Sequence, residues 1–153
     1  MQKPLRYVVS GYLVENDKVL LTLHSKQNKW VPSGGHIEEN ELPQEALKRE
    51  YQEELGIDIE IIDAIGDNPF ADRGIWEKQP RPFYADFEEM TKMGYNHDIY
   101  LQFYYVKRVN KSQKIQDLDV KDSKWFTVQE LEKLEELDTY EQVKALGIYS
   151  IKN

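Results

Sequence analysis

Residues 35–57 read GHIEENELPQEALKREYQEELGI, and the order of glutamates, glycines and apolar residues in that run decides how the chain is read. Glu50, Glu53 and Glu54 stand three and four apart, so a helix through them projects all three from one turn. Leu47, Tyr51 and Leu55 recur every four residues and give the same helix an apolar side facing a core. Pro43 fits the first helical position, where its missing N–H costs nothing, and Gly56 fits the left-handed residue that stops a helix. The spacing therefore predicts a helix over 43–55.

Three anions on one turn repel unless a cation sits among them. Clustered carboxylates are hard, oxygen-only ligands and suit Mg²⁺ or Mn²⁺. Mg²⁺ keeps waters and recruits phosphate oxygens, so the cluster points to a divalent-metal site for a phosphorylated ligand. Taken alone, the three glutamates fit a solvated acidic helix face better, since such faces are common in a glutamate-rich chain. The complete spacing separates the two readings. Gly35, Glu41, Arg49, Glu50, Glu53, Glu54 and Gly56 fill the fixed positions of G-x5-E-x7-R-E-U-x-E-E-x-G-U, where U is bulky and apolar. The segment resembles the signature box of the Nudix hydrolases at every fixed position.

That resemblance implies an α/β/α sandwich with a mixed β-sheet, one domain over residues 1–153. It also implies metal-dependent hydrolysis of a diphosphate linkage in a nucleoside diphosphate joined to another group. Glu50, Glu53 and Glu54 are then the metal carboxylates, with a carbonyl at Gly34 as a further donor. Glu50 and Glu53 are the candidates in the box for accepting the proton of the attacking water. Arg49 and Glu41 take orienting roles. Outside the box, Asp122 is the first candidate for an additional acid and Asp119 the second. The rival reading is a non-catalytic module of the same fold that senses a nucleotide or holds a partner; such modules tend to carry degraded boxes, and here every box acid is present.

Three positions depart from the usual pattern. Tyr51 stands at an aliphatic position, so its hydroxyl needs a partner. Leu42 stands where a Ser or Thr would cap the helix, and Ser33 precedes the glycine pair where proline is frequent.

Composition bounds the rest. The chain has 153 residues, no cysteine and a formal charge of −8. Disulfides and thiolate metal sites are excluded. The acidic balance argues against a duplex nucleic-acid surface, which would need cations for phosphates, but not against a small nucleotide substrate. No apolar run approaches the roughly 18 residues of a membrane span, and residues 15–17 end the first apolar run too soon for a signal peptide. The expected location is the cytoplasm. The oligomeric state is left open, a homodimer included.

Residues 5–14 and 18–24 read as a hairpin, 25–41 as a loop, 57–65 as a strand with partial alternation, and 81–89 as a further strand. His97–Val106 is apolar on both alternating sets, as in a central strand buried on two faces. A strand ends at Phe126, and Thr127-x-x-Glu130 opens a helix with Leu131, Leu134 and Leu137 on one side. Asp138-x-x-Glu141 is expected to open a last short helix ended by Gly147. Residues 66–80 read as a long loop suited to selecting a substrate. Trp76 and Arg81 are the substrate-binding candidates there, with Phe70, Trp30, Phe83 and Tyr84 as further stacking surfaces and Arg73 and Lys78 as further cations. Asp72 and Gly74 replace the proline and tyrosine of the ADP-ribose and diadenosine-polyphosphate subfamilies. His24, His36 and His97 are scattered without zinc-ligand spacing and read as non-metal positions.

Overall fold

The computed structural model describes residues 3–66, 77–110 and 118–153. Strands β1 (Leu5–Glu15) and β2 (Lys18–His24) form the expected hairpin. Its two turn residues, Asn16 and Asp17, have φ of 52° and 61°. A two-residue hairpin turn that matches strand twist needs positive φ at both positions, and Asn and Asp tolerate it better than most residues.

The long strand β7 (Asp98–Arg108) runs parallel to β1, from Leu5 opposite Asp98 to Leu13 opposite Val106. Its far side carries β5 (Ile59–Ile62) and β6 (Tyr84–Glu88), both antiparallel. It is the central strand that its two-sided apolar pattern predicts. Strand β8 (Val120–Phe126) lies antiparallel to β2 and ends at Phe126 as expected. Among the described residues the sheet has eight strands.

Side-chain alternation sends the two faces of this sheet to different helices. Val9, Leu13, Tyr104 and Val106 meet Leu47, Tyr51 and Leu55 of α1 (Pro43–Leu55). Tyr12, Leu21, Phe103 and Phe126 meet Leu131 of α2 (Val128–Lys133) and Val143 of α3 (Glu141–Lys152). The result is the mixed-sheet α/β/α sandwich. No helix among the described residues is long and apolar enough to cross a membrane.

The structure corrects three expectations. The stretch 25–41 is not all loop: it holds β3 (Trp30–Val31), paired with β2, and β4 (Ser33–His36), paired with β1. Leu137 does not join Leu131 and Leu134, because α2 stops at Lys133 and Leu134 is extended; Leu137 is 84 % exposed. Gly147 does not end the last helix. That helix starts at Glu141, one residue after Tyr140 rather than at Asp138, and runs to Lys152. Gly147 lies inside it, where a Cβ would stand 3.3 Å from the Leu131 side chain and 3.7 Å from that of Val19. Packing of helix on helix and sheet outweighs the roughly 1 kcal/mol helix penalty of glycine.

Candidate active site

Helix α1 brings the box to the edge of the sheet. It begins at Pro43 without a side-chain cap, since Leu42 has no acceptor to offer, and ends at Gly56 with φ of 66°. The Tyr51 hydroxyl finds its partner in the buried carbonyl of Gly11, 2.6 Å away, which ties the helix to β1. Burial pushes that phenol well above its usual range.

The last turn of α1 faces β4. Gly35 passes so close to Glu50 that a Cβ there would stand 2.4 Å from Glu50 Oε1; one at Gly34 would stand 2.0 Å from the Val9 carbonyl oxygen. Only glycine permits both approaches. Glu54 is buried, and its Oε1 accepts from the Ser33 hydroxyl at 2.9 Å and from the Gly34 N–H at 3.1 Å. Ser33, an unusual residue at this point of the box, thus supplies a donor that proline could not.

Arg49 is the cation among the acids. Nε and one terminal nitrogen reach the two oxygens of Glu41 at 2.8 and 3.0 Å, the fork geometry that suits guanidinium and carboxylate. The other terminal nitrogen lies 3.0 Å from Glu50, 3.4 Å from Glu53 and 3.7 Å from Glu38. Hydrogen bonding to Arg49 holds the Glu41 carboxyl below its usual range, and Glu41 in turn raises the guanidinium. The Arg49 guanidinium also donates to the carbonyl of His36 at 3.0 Å, linking α1 to the end of β4.

A cavity of about 250 Å³ opens here, lined by His24, Gly34, Gly35, His36, Glu38, Glu50, Glu54 and Asp119. Of the box acids, Glu50 and Glu54 face it. Glu53 is not in its lining; its side chain is half exposed and held by Arg49. Among the described residues, no three His, Cys, Asp or Glu side chains are drawn together tightly enough to hold an ion as they stand. The oxygen donors of the box at this opening, the Glu50 and Glu54 carboxylates beside the Gly34 backbone, nevertheless suit a hard divalent cation.

The flanking acids exchange ranks. Asp122 lies within β8 opposite Leu23, and its carboxylate accepts from the Ser123 N–H at 2.8 Å. Asp119 lines the cavity instead. It stands just before β8, where its carbonyl accepts from the Ser25 N–H at 2.8 Å at the end of β2. His24 and His36 also line the cavity, which scattered positions in sequence gave no means of seeing. Nδ1 of His24 accepts from the backbone N–H groups of Lys26 and Gln27 at 3.2 and 3.4 Å, leaving Nε2 as the ring's donor.

Arg81 is committed elsewhere. Its guanidinium pairs with both oxygens of Asp63 at 2.9 and 2.7 Å, its N–H donates to the same carboxylate, and it is not in the cavity lining. Trp76, Phe70 and Arg73 lie outside the described residues. Trp30 and Phe83 are engaged within the second core cluster, Trp30 edge-on to Phe126 and Phe83 stacked on Tyr105 at 4.2 Å.

The model of the NUDIX domain family matches residues 4–146. An m7GpppN-mRNA hydrolase, NUDT17, of Xenopus laevis is 42 % identical over 67 residues, 40 % of this chain and 21 % of that protein. An 8-oxo-dGTP diphosphatase of Proteus vulgaris is 45 % identical over 49 residues, 30 % of this chain and 43 % of that one. The chain thus aligns with less than half the length of either curated relative. Among solved structures, a NUDIX-family hydrolase of Clostridium perfringens superposes with a TM-score of 0.79 at 28 % identity over 95 % of both chains. A NUDIX hydrolase of Nitrosomonas europaea shares the fold at a TM-score of 0.72 and 17 % identity, over 98 % of this chain and 89 % of its own.

Proposed function

We propose, for a chain that belongs to the NUDIX domain family, that it hydrolyses the diphosphate linkage of a nucleoside diphosphate joined to a further group. The observation that carries this reading is the meeting of Glu50 and Glu54 with Gly34 and Gly35 around one open cavity, with Arg49 holding the neighbouring acids in register. One domain carries the activity, and its substrate is a small nucleotide.

Glu50, Glu54 and Glu53 would hold the cation, Mg²⁺ or Mn²⁺, with the Gly34 carbonyl as a further donor. When bound, such an ion neutralises diphosphate charge and makes a water more acidic. The chain's own residues do the rest. Ser33 and the Gly34 N–H fix one oxygen of Glu54, so the carboxylate meets its ligand in one orientation. Water attacks phosphorus, the bond to the leaving phosphate oxygen breaks, and a carboxylate takes the proton of the water. Glu50 is the first candidate for that proton because it lines the cavity; Glu53 and Asp119 follow. Arg49 restrains Glu50 and Glu53 at the same time.

The names of the two curated relatives both specify nucleotides with a chain of three phosphates. A substrate panel therefore begins with nucleoside triphosphates and capped RNA ends, and adds dinucleoside polyphosphates, nucleotide sugars and ADP-ribose. Each is incubated with the protein and Mg²⁺ or Mn²⁺, and phosphate and pyrophosphate are read separately. Turnover of at least one compound, stopped by a chelator, is the expected result. A folded protein that turns over none of them with either ion would overturn the reading in favour of a binding module.

A further inference from the structure

One corner of the sheet gathers a guanidinium and two imidazoles, of which His36 alone also lines the cavity. Alternation along β1 puts Arg6 and Val8 on the face away from α1. Pairing extends that face sideways, with His36 of β4 opposite Val8 and Ile99 of β7 opposite Arg6. His97, just before β7, brings its ring to 5.8 Å from that of His36, edge to face. A 2.6 Å contact between its Nδ1 and the Asn96 side-chain oxygen holds the His97 ring. Arg6 stands two residues from Val8, the partner of His36, on the same face of the sheet. Burial first, then Arg6 and His97, hold the His36 imidazole below its usual range, so the corner uses it as an N–H donor.

Neighbouring acids are committed elsewhere. Glu38 leans on Arg49 at 3.7 Å. Asp98 is buried and accepts from the N–H and hydroxyl of Thr91 at 3.0 and 2.8 Å, although it also feels Lys3 and His97. Among the described residues no carboxylate pairs with Arg6. In a chain of net charge −8, a guanidinium with no described carboxylate paired to it stands beside two imidazoles, with Asp98 acting on His97. A guanidinium offers five donors and an imidazole at least one, so the corner is equipped for an oxyanion.

The corner adjoins the cavity, because His36 belongs to both. From Gly34 to His36 the strand advances by about 3.3 Å per residue. On the hydrolytic reading above, with the diphosphate over Gly34 and Gly35, a group held by the corner would be the next along the phosphate chain.

We propose that Arg6, His36 and His97 form an anion-binding corner for the phosphate next beyond the diphosphate that is cleaved. The site then favours 5′-triphosphates and longer polyphosphates over nucleoside diphosphates joined to an uncharged sugar. This selectivity rests on the hydrolytic reading above; the binding of the anion does not.

The test has two arms. In the first, the protein is held metal-free with chelator, and its three histidine ring signals are followed by NMR while tripolyphosphate is added. Signals of His36 and His97 should move and saturate. In an Arg6→Gln, His97→Gln variant the dissociation constant should rise by about tenfold, the scale of one charge-assisted hydrogen bond, and Arg6→Lys should restore much of it if His97 is kept. Unmoved His36 and His97 signals, movement of His24 alone, or equal binding by the variant would overturn the corner. In the second arm, kcat/KM is measured for a nucleoside triphosphate and a nucleotide sugar. The variant should lose about tenfold on the first and less than about twofold on the second. Equal losses on both overturn the selectivity. Tripolyphosphate binding that depends on Arg6 and His97, in a protein that hydrolyses nothing, would refute the enzymatic reading and leave the corner standing.

Discussion

Glu54 is buried, and a buried carboxyl group is costly unless its oxygens are hydrogen-bonded. Ser33 and the Gly34 N–H meet that need at one oxygen. Replacing Ser33 with alanine leaves one donor fewer, at a cost of about 1 kcal/mol or more. For a chain of this length that lowers the melting temperature by about 2–4 °C, read in chelator so that no ion masks the loss. An unchanged melt would show that the Ser33 bond contributes nothing to the folded state. At this scale helical spacing pointed to Glu50, Glu53 and Glu54 together and the box resemblance to the glycines; the structure puts Glu50 and Glu54, but not Glu53, in the cavity lining. The role of Ser33 was hidden, since its partner lies twenty-one residues along and only the pairing of β4 with β1 brings them together. Asp119 was ranked below Asp122 for a similar reason. Asp122 lies inside β8 opposite Leu23, whereas Asp119 precedes the strand, beyond a register shift at Leu23/His24 that the sequence did not signal.

Elements were legible where the signal was local. Helix α1 runs over the predicted residues because Pro43 and Gly56 mark its ends within the sequence itself. The capping box of Thr127 and Glu130 is present with both of its bonds, at 3.1 Å each. Strands β3 and β4 were missed because two and four residues carry too little periodicity; their partners on β2 and β1 define them. Gly147 misled because glycine usually stops a helix, whereas this one lets α3 settle against Leu131, Val19 and Tyr12. Gly11 plays the matching part on the opposite face. A Cβ there would meet Val106 of β7 and Tyr51 and Leu47 of α1 at 3.0–3.2 Å. Gly11→Ala should therefore push α1 off the sheet and cost about 1–3 kcal/mol in urea unfolding. No change in the unfolding midpoint would mean that the three side chains yield freely and α1 is not clamped as tightly as the distances indicate.

For the molecule as a whole, the acid network around Arg49 links stability to pH. The folded Glu41 carboxyl titrates below its ordinary value because Arg49 holds the charged form. A depressed carboxyl adds stability above its unfolded pKa and loses it as pH falls through the folded one. The wild type should thus be more stable than Glu41→Gln near neutrality, with the gap closing in acid, below the ordinary carboxylate range. Urea midpoints across pH check this; a gap that is constant with pH would show that Glu41 acts through shape and not charge. The same network positions Glu50 beside the cavity, where the proposed chemistry takes place. The most direct test of the account is the turnover number of Glu50→Gln on the best substrate of the panel, with Mg²⁺ saturating and folding verified by the melt. Loss of Glu50 as ligand and proton acceptor should lower kcat by about 10²–10⁴, the range for general acid–base catalysis. A folded Glu50→Gln enzyme that works within a few-fold of the wild type would contradict the assignment of this cavity as the place where the diphosphate is cleaved.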